Sequence, residues 1–193
     1  INSNNTFLRN CIIARNSGDY EYSYHTHVIP GCDATFINCT ITDNEQEGFG
    51  GDGAKIFRNC IRWNNAIKGD WGDLFYCACD FPVSGNGNIT DSPLFVDENN
   101  SDYRLSAGSP CIDAGTAANA PEADLAETAR PRGGAVDMGA YEETKVIFVD
   151  KHASGGDNDG TSWDHAFKTL QAALDFAANI GSAEIWIAEG TYM

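Results

Sequence analysis

Short apolar runs broken by Gly, Asn and Asp occupy most of the chain, the pattern of brief strands separated by turns. One pattern recurs. Leu8-Arg-Asn-Cys-Ile-Ile-Ala-Arg-Asn16 matches Phe36-Ile-Asn-Cys-Thr-Ile-Thr-Asp-Asn44 and Phe57-Arg-Asn-Cys-Ile-Arg-Trp-Asn-Asn65. The shared template is an apolar residue, any residue, Asn, Cys, four variable residues and a second Asn. The template cysteines lie 28 and 21 residues apart, a period that fits one turn of a solenoid with loops of variable length. The template predicts that Leu8, Phe36 and Phe57 point inward from a short strand. Asn10, Asn38 and Asn59 then take a sharp corner, because Asn tolerates the left-handed region and bonds to nearby backbone. Stacked turns would set these amides in a structural ladder, with Cys11, Cys39 and Cys60 beside them as small buried residues. The second Asn of each template marks the next corner.

The pattern then changes twice. Over residues 76–142 the apolar runs are split by Gly and Pro, as in Gly85-Asn-Gly-Asn-Ile89 and Arg130-Pro-Arg-Gly-Gly. This stretch reads as a cap over the end of the solenoid, which would otherwise expose strand edges. Over 145–193 a strand is expected at Lys145–Asp150, a loop at 154–160 and an amphipathic helix at 167–178. Further strands are expected at Glu184–Ala188 and Gly190–Tyr192. Phe167, Leu170, Leu174 and Ala177 form the helix's apolar stripe, and Gly181 stops it. The expected organisation is coils over 1–75, a C-terminal cap region over 76–144, and an opening segment of a second unit over 145–193.

Composition narrows the function. Hydrophobic residues make up 42 %, enough for a packed core. The net charge of −16 would be repelled by nucleic acid and by anionic membrane surfaces, and it permits calcium sites. No apolar run approaches the roughly 18 residues of a membrane span, so no membrane insertion is expected. The chain opens at Ile1 without a start Met or leader and is expected to be part of something longer. Seven cysteines leave at least one without an internal partner and allow one or two disulfides, while the Cys77-Ala-Cys79 spacing, with no second pair beside it, does not make a zinc ribbon.

Asp91-Ser-Pro-Leu-Phe-Val-Asp97, Ser109-Pro-Cys-Ile-Asp-Ala-Gly115 and Arg130-Pro-Arg…Asp137-Met-Gly-Ala-Tyr-Glu142 resemble the C-terminal signature of pectate-lyase-like right-handed parallel β-helix proteins. In particular they resemble bacterial surface proteins with a choice-of-anchor Q domain. Val149-Asp150, Asp159-Gly-Thr-Ser-Trp163, Ala166-Phe167, Leu170-Gln171 and Trp186…Gly190-Thr-Tyr192 resemble the opening of such β-helices, where a helix plugs the first coil. The resemblance implies an all-β fold, a right-handed parallel β-helix with a C-terminal segment holding one amphipathic capping helix. In the family the opening precedes the coils; here it follows them.

Members of that superfold include polysaccharide lyases, adhesins and structural proteins, so activity does not follow from fold. A lyase needs a base and a cation on a groove along the coils; Arg15, Arg58, Arg62 and Asp43 are the candidates, and they read as surface charges on coil faces. His25 and His27 sit two apart beside Tyr20, Tyr22 and Tyr24, metal-capable on a strand but without a third ligand. Asp157-Asn-Asp-Gly160 looks like part of a calcium loop, yet Lys168 stands where an EF-hand places Glu, so it reads as a turn. Asn4, Asn38, Asn88 and Asn99 lie in N-x-[ST] patterns, which the bacterial resemblance argues against as glycosylation sites. No catalytic or metal residue and no cofactor is therefore assigned. The expected function is an extracellular, secreted or cell-surface, structural or adhesive module. Its partners are other copies of itself, joined head to tail, and extracellular glycans; a polysaccharide lyase or glycan-binding β-helix is the alternative. The residues expected at the assembly interface are Phe167, Leu170, Leu174, Ile185 and Ile187.

Overall fold

The computed structural model describes residues 6–17, 33–45, 54–66, 72–143, 145–180 and 183–192. His25, His27, Tyr20, Tyr22, Tyr24, Cys32, Asn4 and Gly181 lie outside the described residues. The chain divides into two compact units, Ile1–Glu143 and Thr144–Met193. Most of its regular structure is strand, with one α-helix among the described residues.

In the first unit each circuit of the chain lays down two short strands. These are β1 (Thr6–Arg9) and β2 (Ile12–Ala14), β3 (Ala34–Ile37) and β4 (Thr40–Thr42), β5 (Lys55–Arg58) and β6 (Ile61–Trp63), then β7 (Asp73–Phe75) and β8 (Ala78–Cys79). The odd strands pair in the order β1-β3-β5-β7 and the even ones in the order β2-β4-β6-β8, all parallel. Register aligns the templates: Leu8, Phe36, Phe57 and Leu74 face one another across the first sheet. Across the second sheet Ile13, Ile41, Arg62 and Cys79 do the same. These columns, with Cys11, Cys39, Cys60 and Cys77, make the main core. The Phe36 and Phe57 rings stack with centroids 4.7 Å apart and 11° between planes. Burying each such side chain stabilises the fold by roughly 1.5–3 kcal/mol.

The paired parallel strands run beyond residue 75. Leu74-Phe-Tyr-Cys77 is a fourth template turn, and Ile89 bridges onto Ala78 as a partial fifth layer. The expected boundary at 75 falls inside the fourth turn because Tyr76 occupies the corner that Asn holds elsewhere, so the motif was not visible there.

Residues 89–142, part of the expected cap region, run along the flank of the stacked strands. Leu105, Cys111 and Met138 pack on Ile61 and Ala78, on the outer face of the second sheet, and form a second buried cluster with Trp63, Ile89 and Phe95. Within this flank β9 (Phe95–Asp97) and β10 (Asp102–Leu105) form an antiparallel hairpin around the one-turn helix Glu98–Asn100. The second sheet is thus covered on both faces, so its strands keep no common polar face: Thr-Ile-Thr in β4 sits beside Ile-Arg-Trp in β6.

The second unit is a strand–helix–strand crossover. β11 (Val146–Val149) pairs in parallel with β12 (Glu184–Ile187), and α1 (Leu170–Ile180) lies between them in sequence. Ile147, Val149 and Ala173 are its buried centre, with Phe167, Ala177, Ala183, Ile185 and Tyr192 around them. The helix begins later than expected because Phe167 is held by a bridge to Val149, its backbone N–H donating to the Phe148 carbonyl at 2.9 Å. Gly190–Tyr192 is not a strand; the Tyr192 hydroxyl instead donates to the Ala188 carbonyl at 3.0 Å. The small residues Ala173 and Ala177 let the helix approach the strands, so Leu174, expected in the buried stripe, is 45 % exposed.

Candidate functional site

The chemistry of the first unit concentrates where the chain turns, and two rows of corners run up the stack. At the first, Asn10, Asn38, Asn59 and Tyr76 have φ of 50°, 50°, 52° and 54°. This left-handed conformation costs an ordinary L-residue roughly 1–2 kcal/mol and Asn less. One amide link joins this row: Asn59 Nδ2 donates to Asn38 Oδ1 at 3.2 Å. The other amide donors leave the stack. Asn10 Nδ2 donates to the Ala123 carbonyl (2.7 Å), Asn38 Nδ2 to that of Asp137 (2.9 Å), and Asn59 Nδ2 to that of Thr116 (2.7 Å). The expected ladder on Asn10, Asn38 and Asn59 is therefore mainly a row of anchors for the flank. The flank chain offers its carbonyls closer to these amides than the next layer does.

The amide-to-amide ladder runs on the second row. Asn16 Nδ2 donates to Asn44 Oδ1 at 2.7 Å, and Asn44 Nδ2 to Asn65 Oδ1 at 2.9 Å. Asn44 and Asn65 also donate to the carbonyls of Ile13 and Ile41, each at 2.9 Å. The left-handed residue is the one before each of these, Arg15, Asp43 and Asn64, with φ of 55°, 56° and 50°. The corner thus sits one residue earlier than expected. Asn16, Asn44 and Asn65 instead link their amides layer to layer, and those of Asn44 and Asn65 also reach a backbone carbonyl.

The candidate charges have structural placements. Arg62 was expected on a coil face, but it is only 3 % exposed; its guanidinium lies 4.6 Å from the Phe57 ring centroid and 5.1 Å from that of Phe81. Ile61 and Trp63 face the flank, so Arg62, between them in the strand, must face the core. Arg58 stacks on the Phe75 ring at 4.8 Å. Arg15 donates to the carbonyls of Glu98 and Asn99, the latter at 2.9 Å, and Asp43 accepts from the Tyr103 hydroxyl at 3.1 Å and from Asn64 Nδ2 at 2.7 Å. Both hold the β9–β10 hairpin against the second corner. Beside them Asp43, Asn44, Glu45, Asn64, Asn65 and Ala66 line an open cleft of about 440 Å³.

The flank is organised by buried acids that sequence reasoning missed. Glu142 pairs with Arg130, their side chains 0 % and 1 % exposed, and accepts from the backbone N–H groups of Arg132 and Asp137, each at 2.9 Å. Asp124 accepts from Ala126, Thr128 and Glu142 N–H groups, each at 2.8 Å. Asp137 accepts from Asp113 N–H at 2.7 Å and Glu143 N–H at 2.6 Å, and burial pushes its carboxyl up to about 7. Gly139, at φ +96°, lies so close that an added Cβ would meet Ile61 Cδ1 at 2.7 Å. The Arg130-Pro-Arg…Glu142 run carried part of this signal, since its two Arg and two acids stand among apolar and Gly residues, where a buried charge needs a partner.

The six described cysteines, Cys11, Cys39, Cys60, Cys77, Cys79 and Cys111, are unbridged. Burial pushes the Cys60 thiol well up and that of Cys111 to about 12. Among the described residues no group of three or more His, Cys, Asp or Glu is placed to hold a metal ion. Asp159 accepts from both the N–H and the hydroxyl of Thr161, at 3.0 and 2.7 Å, as a turn residue. No described helix is long and apolar enough to cross a membrane.

Of the expected interface residues, Phe167 and Ile185 belong to the second unit's own core, and Leu170 is half-buried. Leu174 and Ile187 are exposed, Ile187 at 47 %. A face of so few residues reflects the small Ala-lined helix contact, which draws Phe167 and Ile185 inward. No family model matches the chain, and no curated protein or solved structure matches it either.

Proposed function

We propose that the first unit is a right-handed parallel β-helix and that the protein is an extracellular structural or adhesive module. Support for the fold comes from the alternating strand order, one strand to each sheet per circuit, and from the left-handed corner repeated at both ends of the even strands. Crossovers between parallel strands of one sheet are right-handed almost without exception. The resemblance to choice-of-anchor Q proteins supports the cell-surface reading.

The observation that carries the structural reading is the placement of Arg62, Arg15 and Asp43. The charges a lyase would set on a groove instead hold aromatic rings and the hairpin. The test is incubation with polygalacturonate and alginate, following the absorbance of unsaturated product. No product is expected. Turnover that disappears in Arg58→Ala would overturn the reading.

Contact with extracellular glycans is favoured by one feature. Trp163 and Trp186 are 44 % and 50 % exposed, with ring centroids 4.8 and 5.8 Å from that of Phe148, and exposed indoles stack on sugar rings. Titration with oligosaccharides while recording tryptophan fluorescence tests it; a response unchanged in Trp186→Ala excludes this surface. Self-association in head-to-tail fashion belongs to the same proposal. Light scattering over a concentration series reads it, and particles that stay monomeric would count against it.

A further inference from the structure

The two-stranded sheet of the second unit has unlike faces. Successive residues of a strand point to opposite sides. Ile147, Val149 and Ile185 turn toward Ala173 and Ala177 of the helix. Phe148 and Trp186, partners across the two strands, therefore turn to the other side, and Glu184 turns with them. Trp163 joins this face through Phe148. Its ring centroid lies 4.8 Å from that of Phe148 with 66° between planes, and that of Trp186 lies 5.8 Å away at 75°. Both indoles thus stand steeply to the Phe148 ring, and both are about half exposed. Grouped aromatic area left at a surface marks a ligand or partner site.

The polar group on the same face selects among ligands. Glu184 Oε2 accepts from Trp186 Nε1 at 3.2 Å, which tethers an exposed carboxylate at the rim of the indole. The indole N–H, a donor only, is taken up by that carboxylate rather than offered to the oxygens of a ligand. The surrounding charge has the same sign. Residues 145–193 hold seven acids and three lysines, in a chain of net charge −16. A uronate polymer is repelled by such a surface. A protonated amine is attracted twice, by the carboxylate through a charge-assisted hydrogen bond and by the negative faces of the indoles.

We propose that this face binds glycans with free amino groups, of the glucosamine type, a sugar ring lying against Trp186, its ammonium on Glu184, and Trp163 serving as a second stacking surface. The assignment rests on the glycan contact proposed above and narrows it from sugars in general to cationic amino sugars. Stacking holds any pyranose; the tethered carboxylate distinguishes the free amine from its acetylated form, which has lost the charge.

The whole chain is titrated with three trisaccharides, in a mildly acidic buffer that keeps sugar amines protonated. They are the glucosamine trimer, its N-acetylated form and the galacturonate trimer, with tryptophan fluorescence and calorimetry as readouts. The glucosamine trimer should bind at one site per chain, about tenfold tighter than the N-acetylated form, the scale of one charge-assisted hydrogen bond. The galacturonate trimer should not bind. Glu184→Gln should bring the glucosamine trimer down to the affinity of the N-acetylated form and leave the latter unchanged. Trp186→Ala, shown folded by circular dichroism, should lose both. Asp175→Asn makes the same charge change on the helix, across the sheet from this face, and should bind like the parent. Equal affinity for the amino and N-acetylated trimers would overturn the amino-sugar assignment and leave the glycan contact standing. Binding of none of the three, or binding unchanged in Trp186→Ala, would end both. Equal weakening by Glu184→Gln and Asp175→Asn would mean general attraction of a cation to an acidic chain, and would overturn the assignment as well.

Discussion

The two rows of corners in the first unit solve one problem in two ways. Both turn the chain with a left-handed residue in successive layers. On the first row the corner residue is itself the Asn, and its amide reaches out to the flank at Ala123, Thr116 and Asp137. On the second row the corner residue varies among Arg15, Asp43 and Asn64, and the Asn after it bonds to the neighbouring layer. The first row ties layers to a distant piece of chain; the second ties layers to one another. Coil stability should therefore depend locally on the second row, while the first row should depend on whether the flank is in place.

The sharpest way to break this difference is to release the flank. Glu142→Ala leaves Arg130 buried without its carboxylate and removes the acceptor for two backbone N–H groups. Losing one partner of a buried pair costs about 3–5 kcal/mol. Urea unfolding should show that loss. In the background of this variant, Asn38→Ala should cost less than in the parent, because its acceptor at Asp137 has moved away and only the left-handed strain and the Asn59 link remain; additive losses would show that the first row does not work through the flank.

A direct comparison of the rows comes next. Asn44→Ala removes the acceptor for Asn16 and two donated bonds, and should cost about 3 kcal/mol. Asn38→Ala removes the bond to Asp137 and the acceptor for Asn59 and adds left-handed strain, about 2–3 kcal/mol in all. Asn38→Gly, which keeps the turn and loses only the amide, should fall between Asn38→Ala and the parent. Thermal melts of the three variants settle the order, and an Asn38→Ala loss exceeding that of Asn44→Ala would reverse the assignment of roles.

How much of this could be read from the chain follows from the same contrast. The Asn-Cys template was legible because one residue type recurs where backbone geometry demands it. The second corner was read one residue late because Arg15, Asp43 and Asn64 share a conformation and no chemistry. The fourth circuit was hidden by Tyr76. Arg62 reads as a surface charge because Ile61-Arg62-Trp63 alternates, whereas the flank covers the face of Ile61 and Trp63 and leaves Arg62 on the core side. The flank's path was not legible at all. It depends on contacts between residues about a hundred positions apart, such as Asn38 with Asp137. In the second unit, large residues suggested a stripe through Leu174, whereas close approach selected Ala173 and Ala177.

A pH series probes the flank alone. The folded state holds the Asp137 proton to about 7, while an ordinary aspartate releases it near 4. The folded form therefore binds the extra proton between those values. Its contribution to stability is present below about pH 4 and lost as the pH rises to about 7. The groups around this carboxyl are Asp113, Glu142 and Glu143, with Arg130 on Glu142 and on the Asp137 carbonyl. Melting temperature followed over this range should decline in the parent and flatten in Asp137→Asn. An equal slope in both would place the titration elsewhere.

The smallest expected effect is at Tyr76, the one described position of the first row that departs from Asn. A tyrosine at φ 54° carries the left-handed penalty that Asn largely escapes. Against this, its ring lies over Gly87, where an added Cβ would come within 2.5 Å of Cδ1. Tyr76 is 36 % exposed, so the ring contact is partial. Relief of backbone strain should slightly outweigh the lost packing, and Tyr76→Asn should raise stability by no more than about 1 kcal/mol. Urea midpoints at matched slope can read a difference of that size. A loss beyond about 1 kcal/mol would mean that the ring, rather than the turn, selects the residue at this corner, and that the fourth circuit is held by its own packing instead of by the anchoring that marks the three before it.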